Sequence, residues 1–232
     1  MSPENQQVPE DFYTSGDLWF SQSELQQLVV KVARGSGYCW SDAEEIGWAA
    51  SWLSKFGLPG DDVVLSLMHS SELIAPTPTP QFWKEGRIPH CPLRCGLALM
   101  DFARLPEGLG TSSLVIESML GLPCFLAFAA RTARQIQHPL KIQWEEQSLF
   151  VNEAAQPSVE IDKVSMEFGK IVEVKITRSN SDMAYVQTKK PQYCVRVSSQ
   201  SFEQLEAFAQ QTLVPASDLS RLRAGGHDNP TS

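Results

Sequence analysis

Apolar and polar positions alternate along this chain with two different periods. In its first half the period is that of a helix. Leu25, Leu28, Val29 and Val32 recur at helical spacing behind Ser21-Gln22-Ser23-Glu24, an S-x-x-E capping box in which serine and glutamate satisfy the first orphan N–H groups. Gly35-Ser36-Gly37 then stops the helix. A second box, Ser41-Asp42-Ala43-Glu44, opens a run in which Ala43, Ile46, Gly47, Ala50 and Leu53 form a narrow face of small residues suited to close helix contact. Two capped helices across a short turn predict an αα-hairpin. Further helices are predicted over residues 61–74, 92–104 and 123–137, the last two beginning at prolines favourable in a first turn. The Pro-Thr-Pro-Thr-Pro stretch at 76–80 reads as a stiff connector.

The second half changes period. Leu114-Val115-Ile116 reads as a short buried strand and residues 140–144 as another. From 149 to 197 β-branched residues alternate with polar ones, notably in Val172-Glu173-Val174-Lys175-Ile176 and Cys194-Val195-Arg196-Val197. A third box, Ser201-Phe202-Glu203-Gln204, predicts a helix to about 212, and a short helix is expected over 215–222. Helices first, strands later and a terminal helix predict an α+β fold: an N-terminal helical hairpin and helices, then a largely antiparallel sheet with a C-terminal helix. The expected organisation is a flexible arm over 1–17, one α+β domain over 18–224 and a polar tail over 225–232. Within the domain the helical part runs to about 110 and the β-rich part follows.

Composition narrows the class. The 232 residues are 42% hydrophobic and 20% charged, ordinary for a globular chain. The net charge is -8, and ten acids against three bases fall before residue 63. Acidity of this kind argues against nucleic acid and anionic membranes as partners, and makes a helix-turn-helix reading of the hairpin poor. The absence of a signal-like N-terminus or a long apolar run leads to the expectation of a cytoplasmic protein. P-loop, G-x-G-x-x-G, H-E-x-x-H and G-x-S-x-G motifs are all absent, so no cofactor is implied.

The stretch from Ala33 to Tyr38, followed by Trp40-Ser41-Asp42-Ala43-Glu44-Glu45, resembles the signature of a bacterial protein family of unknown function. That family shows a Gly-rich turn and then Trp-Gly-x-Ala-Glu-Glu; here Ser41 takes the place of the glycine. Val214-Pro215-Ala216-Ser217 with Ser220-Arg221-Leu222 is similar to its second motif. The resemblance implies no activity.

Candidate chemistry is sparse. Glu44 is explained by the capping box with Ser41, whereas Glu45 is not needed there. Arg221 can clamp a carboxylate with two hydrogen bonds, and Ser217, Ser220, His227 and Asp228 surround it in sequence. The resulting expectation is a site shared between the start of the second helix and the C-terminal segment. Glu45, Arg221 and Asp228 would be catalytic, and Glu44, Ser217 and Ser220 would bind a small polar or anionic metabolite. A salt bridge of purely structural value is the simpler alternative. Cys91 and Cys95, one turn apart beside His90, lack matching ligands elsewhere, so the five cysteines read as buried, inert thiols with no metal. Gly121 and Pro123 after the strand at 114 suggest a weak helix-N-terminal anion site. The competing class is a non-catalytic interaction protein, anchored on exposed Trp48 and Trp52 or forming a homo-oligomer.

Overall fold

The computed structural model describes residues 17–70, 73–84, 88–110, 113–164, 169–179 and 187–212. The fold is α+β. Six helices stand among these residues: α1 (Gln22–Gly35), α2 (Trp40–Lys55), α3 (Gly60–His69), α4 (Pro92–Phe102), α5 (Pro123–Ile136) and α6 (Ser199–Gln210). Seven strands accompany them: β1 (Leu18–Ser21), β2 (Phe82–Trp83), β3 (Leu114–Leu120), β4 (Leu140–Trp144), β5 (Gln147–Val151), β6 (Ile171–Arg178) and β7 (Cys194–Val197).

A five-stranded sheet runs in the order β2-β3-β6-β4-β5, antiparallel except for the β2–β3 pair. In β6 Val172, Val174 and Ile176 are buried while Ile171, Glu173 and Lys175 are exposed, so the sheet shows one face to the core and one to water. Helices α4 and α5 pack on each other and against the covered face. β4 and β5 are joined by a tight turn at Glu145-Glu146, both exposed, with Glu145 at a φ of 48°. A second, two-stranded sheet pairs β1 with β7, antiparallel. It brings the two ends of the described chain together, and α1 packs on α6 beside it.

The helices form for the reasons their patterns suggest, with local corrections. Ser21 caps α1 with its hydroxyl accepting from Glu24 N, and Glu24 returns the bond to Ser21 N at 2.8 Å. These bonds hold the Glu24 carboxyl below its ordinary pKa. Ser41 is not a cap. α2 begins two residues earlier than a Ser41 cap implies, at Trp40, with Cys39 as the extended residue before it, and Glu44 is exposed outside any box. The reason lies in the turn: Tyr38 N closes on Ala33 O, Ala43 N bonds Cys39 O, and Arg34 lies over the Trp40 ring at 5.0 Å. Ser201 is not a cap either. Ser198 accepts from Ser201 N, which places the cap of α6 three residues earlier than expected.

The third helix stops at His69 rather than 74, because Ser70 is extended and Ile74 is drawn into a bridge with His90. The strand at 114 runs on to Leu120 through a register shift between Ile116 and Met119, where Ser118 takes a φ of 55°. The short helix expected over 215–222, the arm before residue 17 and the tail after 225 lie outside the described residues.

The small-residue face of α2 does what its composition implies. Ala43, Ile46, Gly47, Ala50 and Leu53 are all buried, and Gly47 lies so close to α1 that a Cβ there would stand 2.7 Å from Val30 Cγ2 and 2.8 Å from Gln26 O. One hydrophobic cluster runs from Leu25 on α1 through Phe128 on α5 and Val174 on β6 to Leu205 on α6.

Candidate functional site

The start of α2 is held by two arginines. Buried Asp42 pairs with Arg94 of α4 at 2.7 Å, and Glu45 pairs with Arg131 of α5. The Arg131 guanidinium also lies 4.8 Å from the centre of the Trp48 ring. Glu45 is thus engaged by an arginine of a neighbouring helix. Arg221, Asp228, Ser217 and Ser220, with which a shared site was expected, lie outside the described residues.

Trp48 and Trp52 are not exposed anchors. Trp48 is half-buried between Arg131 and Phe128, and Trp52 is buried with its Nε1–H donating to Ala155 O at 2.9 Å. They face inward on the side of α2 opposite its small residues, Trp48 toward α5 and Trp52 toward the segment after β5. The exposed tryptophan is Trp40, at 64%.

Burial pushes the thiols of Cys91, Cys95 and Cys124 upward, which makes them inert. Cys39 and Cys194, expected to be buried as well, are exposed. Their positions explain this: one precedes α2 at a turn, and the other opens an edge strand. Among the described residues no group of three or more histidine, cysteine or acidic side chains is placed to hold a metal ion. The start of α5, considered for an anion, faces a cavity of about 20 Å³ lined by Gly121, Pro123 and Cys124. That space suits one water molecule and is far too small for a phosphate.

A larger recess lies elsewhere. Where α3 and α6 begin, a cleft of about 450 Å³ is bounded by Ser54, the Gly57-Leu58-Pro59 turn, Asp61, Asp62, Gln192, Arg196, Ser198 and Ser201. Its geometry follows from the turn. Gly57, at a φ of 82°, reverses the chain after α2, and Gly60 then packs so tightly that a Cβ would lie 2.2 Å from Ala50 O. This sets Asp61 and Asp62 in the first turn of α3, at its positive end. Asp62 accepts a hydrogen bond from Ser201 Oγ at 3.0 Å, tying α3 to α6. Arg196 of β7 pairs with Asp17 at the rim. Gln192 is fixed by its N–H bond to Lys55 O at 2.7 Å.

Two groups in this cleft are unusual. Asp61 is only 5% exposed and has no ion-pair partner among the described residues. Burial, reinforced by the neighbouring Asp62 carboxylate, pushes its pKa up from 3.8 to about 6. The Ser54 hydroxyl is buried with no hydrogen-bond partner among the described residues. Neither was singled out by sequence reasoning. The signal available was an Asp-Asp pair in the first turn of the helix predicted from residue 61, and no pattern in sequence distinguishes a buried pair there from a solvated one.

Comparison with known proteins gives a family match for one segment and a likeness of fold. Residues 20–79 match a family described as "Protein of unknown function (DUF3726)", and this segment contains both the Trp40–Glu45 motif and the Asp61-Asp62 pair. None of the curated proteins matches. Among solved structures, a dehydrogenase from Sinorhizobium meliloti superposes with a TM-score of 0.53 at 9% identity, over 83% of this chain and 99% of that one. A malate dehydrogenase from Pyrococcus horikoshii OT3 gives a TM-score of 0.46 at 10% identity, over 66% of this chain and 51% of that one. The chain therefore spans about half the length of the Pyrococcus protein. At such identities the Sinorhizobium likeness is one of fold.

Proposed function

We propose that this chain is a cytoplasmic enzyme, or enzyme subunit, of small-molecule metabolism, and that its substrate sits in the cleft between α3 and α6 with Asp61 as proton acceptor and donor. The observation that carries this reading is the buried Asp61 carboxyl, poised near pH 6 on the wall of a 450 Å³ recess. A general acid–base works best when its pKa lies near the working pH, and a purely structural carboxylate has no need of that shift. The volume suits a small metabolite. The lining is rich in acceptors, with Asp61, Asp62 and Ser54, so the substrate class that fits is a small polar molecule bearing hydroxyl or amino hydrogens. Ser54 has a hydrogen bond to give, and Asp61 takes the proton.

The test is a saturation-transfer NMR screen of small hydroxylated and aminated metabolites against wild type, Asp61→Asn and Ser54→Ala. Binding that Asp61→Asn weakens, with turnover following an ionisation near pH 6, supports the reading. Ligands that bind both proteins equally, or no ligand at all, overturn it. The interaction-protein alternative loses the feature that favoured it, since Trp48 and Trp52 are engaged inside the fold.

A further inference from the structure

A second cavity, of about 720 Å³, shares no lining residue with the cleft above. Its walls are Pro80, Gln81, Arg104, Pro106, Gly110, Ile136 and Arg178. We propose that it binds a small organic phosphate, the phosphoryl group gripped by Arg104 and Arg178 and the organic part resting on Ile136 and the two prolines. The protein carries a net charge of -8, yet both ionisable side chains lining this cavity are arginines. Asp101 and Glu107, the acids nearest Arg104 in sequence, do not line it.

Each arginine is anchored by its backbone surroundings. Arg178, the last residue of β6, reaches Ala103 O just past α4, at a long 3.5 Å. Arg104 donates from Nη2 to Gln135 O near the end of α5, at 2.9 Å. These contacts favour the negative ends of two helices, and that is their structural value. Among the described residues they leave most of each guanidinium's donors unused. Arg178 Nε is buried and has no acceptor among the described residues, and neither arginine has a carboxylate partner there. A donor on a charged group left without an acceptor is costly. Two forks carrying two positive charges match a phosphate monoester dianion, whereas a monocarboxylate leaves one charge unanswered. The size and the mixture of apolar walls with a few fixed donors are those of a small-molecule site. Gln81 at the rim has a φ of 70°, while its carbonyl accepts from Val115 N at 2.8 Å, so the rim is held in a conformation a glutamine rarely takes.

Calorimetric titration of the full chain with phenyl phosphate, benzoate and inorganic phosphate at fixed ionic strength tests this. Phenyl phosphate is expected to bind at least about tenfold more tightly than benzoate, and more tightly than inorganic phosphate. Arg104→Gln and Arg178→Gln should each weaken it about tenfold or more, as loss of a charged two-pronged contact implies. Asp61→Asn should leave it unchanged, which separates this site from the catalytic reading. If Arg178→Gln does not fold, Arg178→Lys keeps the charge without the fork and Arg104→Gln stands at the surface, and both should still weaken binding. Equal affinity for benzoate, or wild-type affinity in the arginine variants, overturns the proposal.

Discussion

Asp61 is where a single residue shows most clearly what the fold does to chemistry. Its carboxyl has a higher proton affinity in the folded chain, near pH 6, than in the unfolded chain, near 3.8. Folded protein therefore holds a proton that unfolded protein has released across that interval, and the contribution to stability falls as pH rises through it. Above about pH 6 the loss is complete and on the order of 3 kcal/mol at most. Asp61→Asn removes the penalty. The variant is expected to be more stable than wild type at pH 7.5, with the difference shrinking toward zero at pH 4; urea unfolding at both pH values reads this directly. An unstabilised variant at pH 7.5 would show that the carboxyl is held by partners rather than strained by burial. The cysteines divide in the same residue-level way. An aromatic disulfide reagent should titrate Cys39 and Cys194 in native protein, while Cys91, Cys95 and Cys124 react only after unfolding. Rapid native reaction of more than two thiols would contradict the burial.

The elements test packing against propensity. Replacing Gly47 by alanine gains about 1 kcal/mol of helix propensity. The new methyl, however, meets Gln26 O at 2.8 Å, and a backbone oxygen of α1 can retreat only if that helix moves. Overpacking of this kind costs about 1–3 kcal/mol, so Gly47→Ala should lower the thermal midpoint. Gly96→Ala should do the same, because its Cβ would sit 2.5 Å from the fully buried Phe128 ring. A rise in midpoint for either would mean that α1 against α2, or α4 against α5, is looser than described. Caps make the complementary case: Ser198→Ala should destabilise by about 0.5–2 kcal/mol and Ser41→Ala by much less, measured by denaturant unfolding. These examples show how much of the fold was legible. The helical period and the β-branched alternation were readable because each depends on local spacing, and so the α+β class was too. Capping was harder, because three serines fit the same local rule and only Ser21 keeps the place that rule gives it. Tertiary contacts decided the other two: Arg34 on Trp40 drew α2 back to Trp40, and the Ser201–Asp62 bond gave that serine another task. β1 and β2 were not legible at all, since four and two residues carry too little pattern before their partners are known.

Over the whole molecule, both candidate cavities are assembled from residues far apart in sequence. The Gly57–Gly60 turn brings Ser54 and Asp61 together, but Ser201 joins them only because α6 packs on α1 and α3, and no spacing rule links it to them. The same long-range closure makes a claim about cooperativity. Trp52 is one tie between the N-terminal helices and the β-rich half: its ring packs against Phe56 with centroids 5.1 Å apart, and its Nε1–H reaches Ala155 O beyond β5. Trp52→Phe empties part of a buried site and leaves that carbonyl without its donor, two effects that each cost about 1–3 kcal/mol. Since one hydrophobic cluster joins α1, α5, β6 and α6, the loss should be felt throughout. Hydrogen exchange should show protection falling by a similar factor in α2 and α5 and in β4 and β6, because they open together. Protection lost from α2 alone, with the sheet as slow to exchange as before, would show that the helical layer and the sheet unfold as separate units despite their shared core.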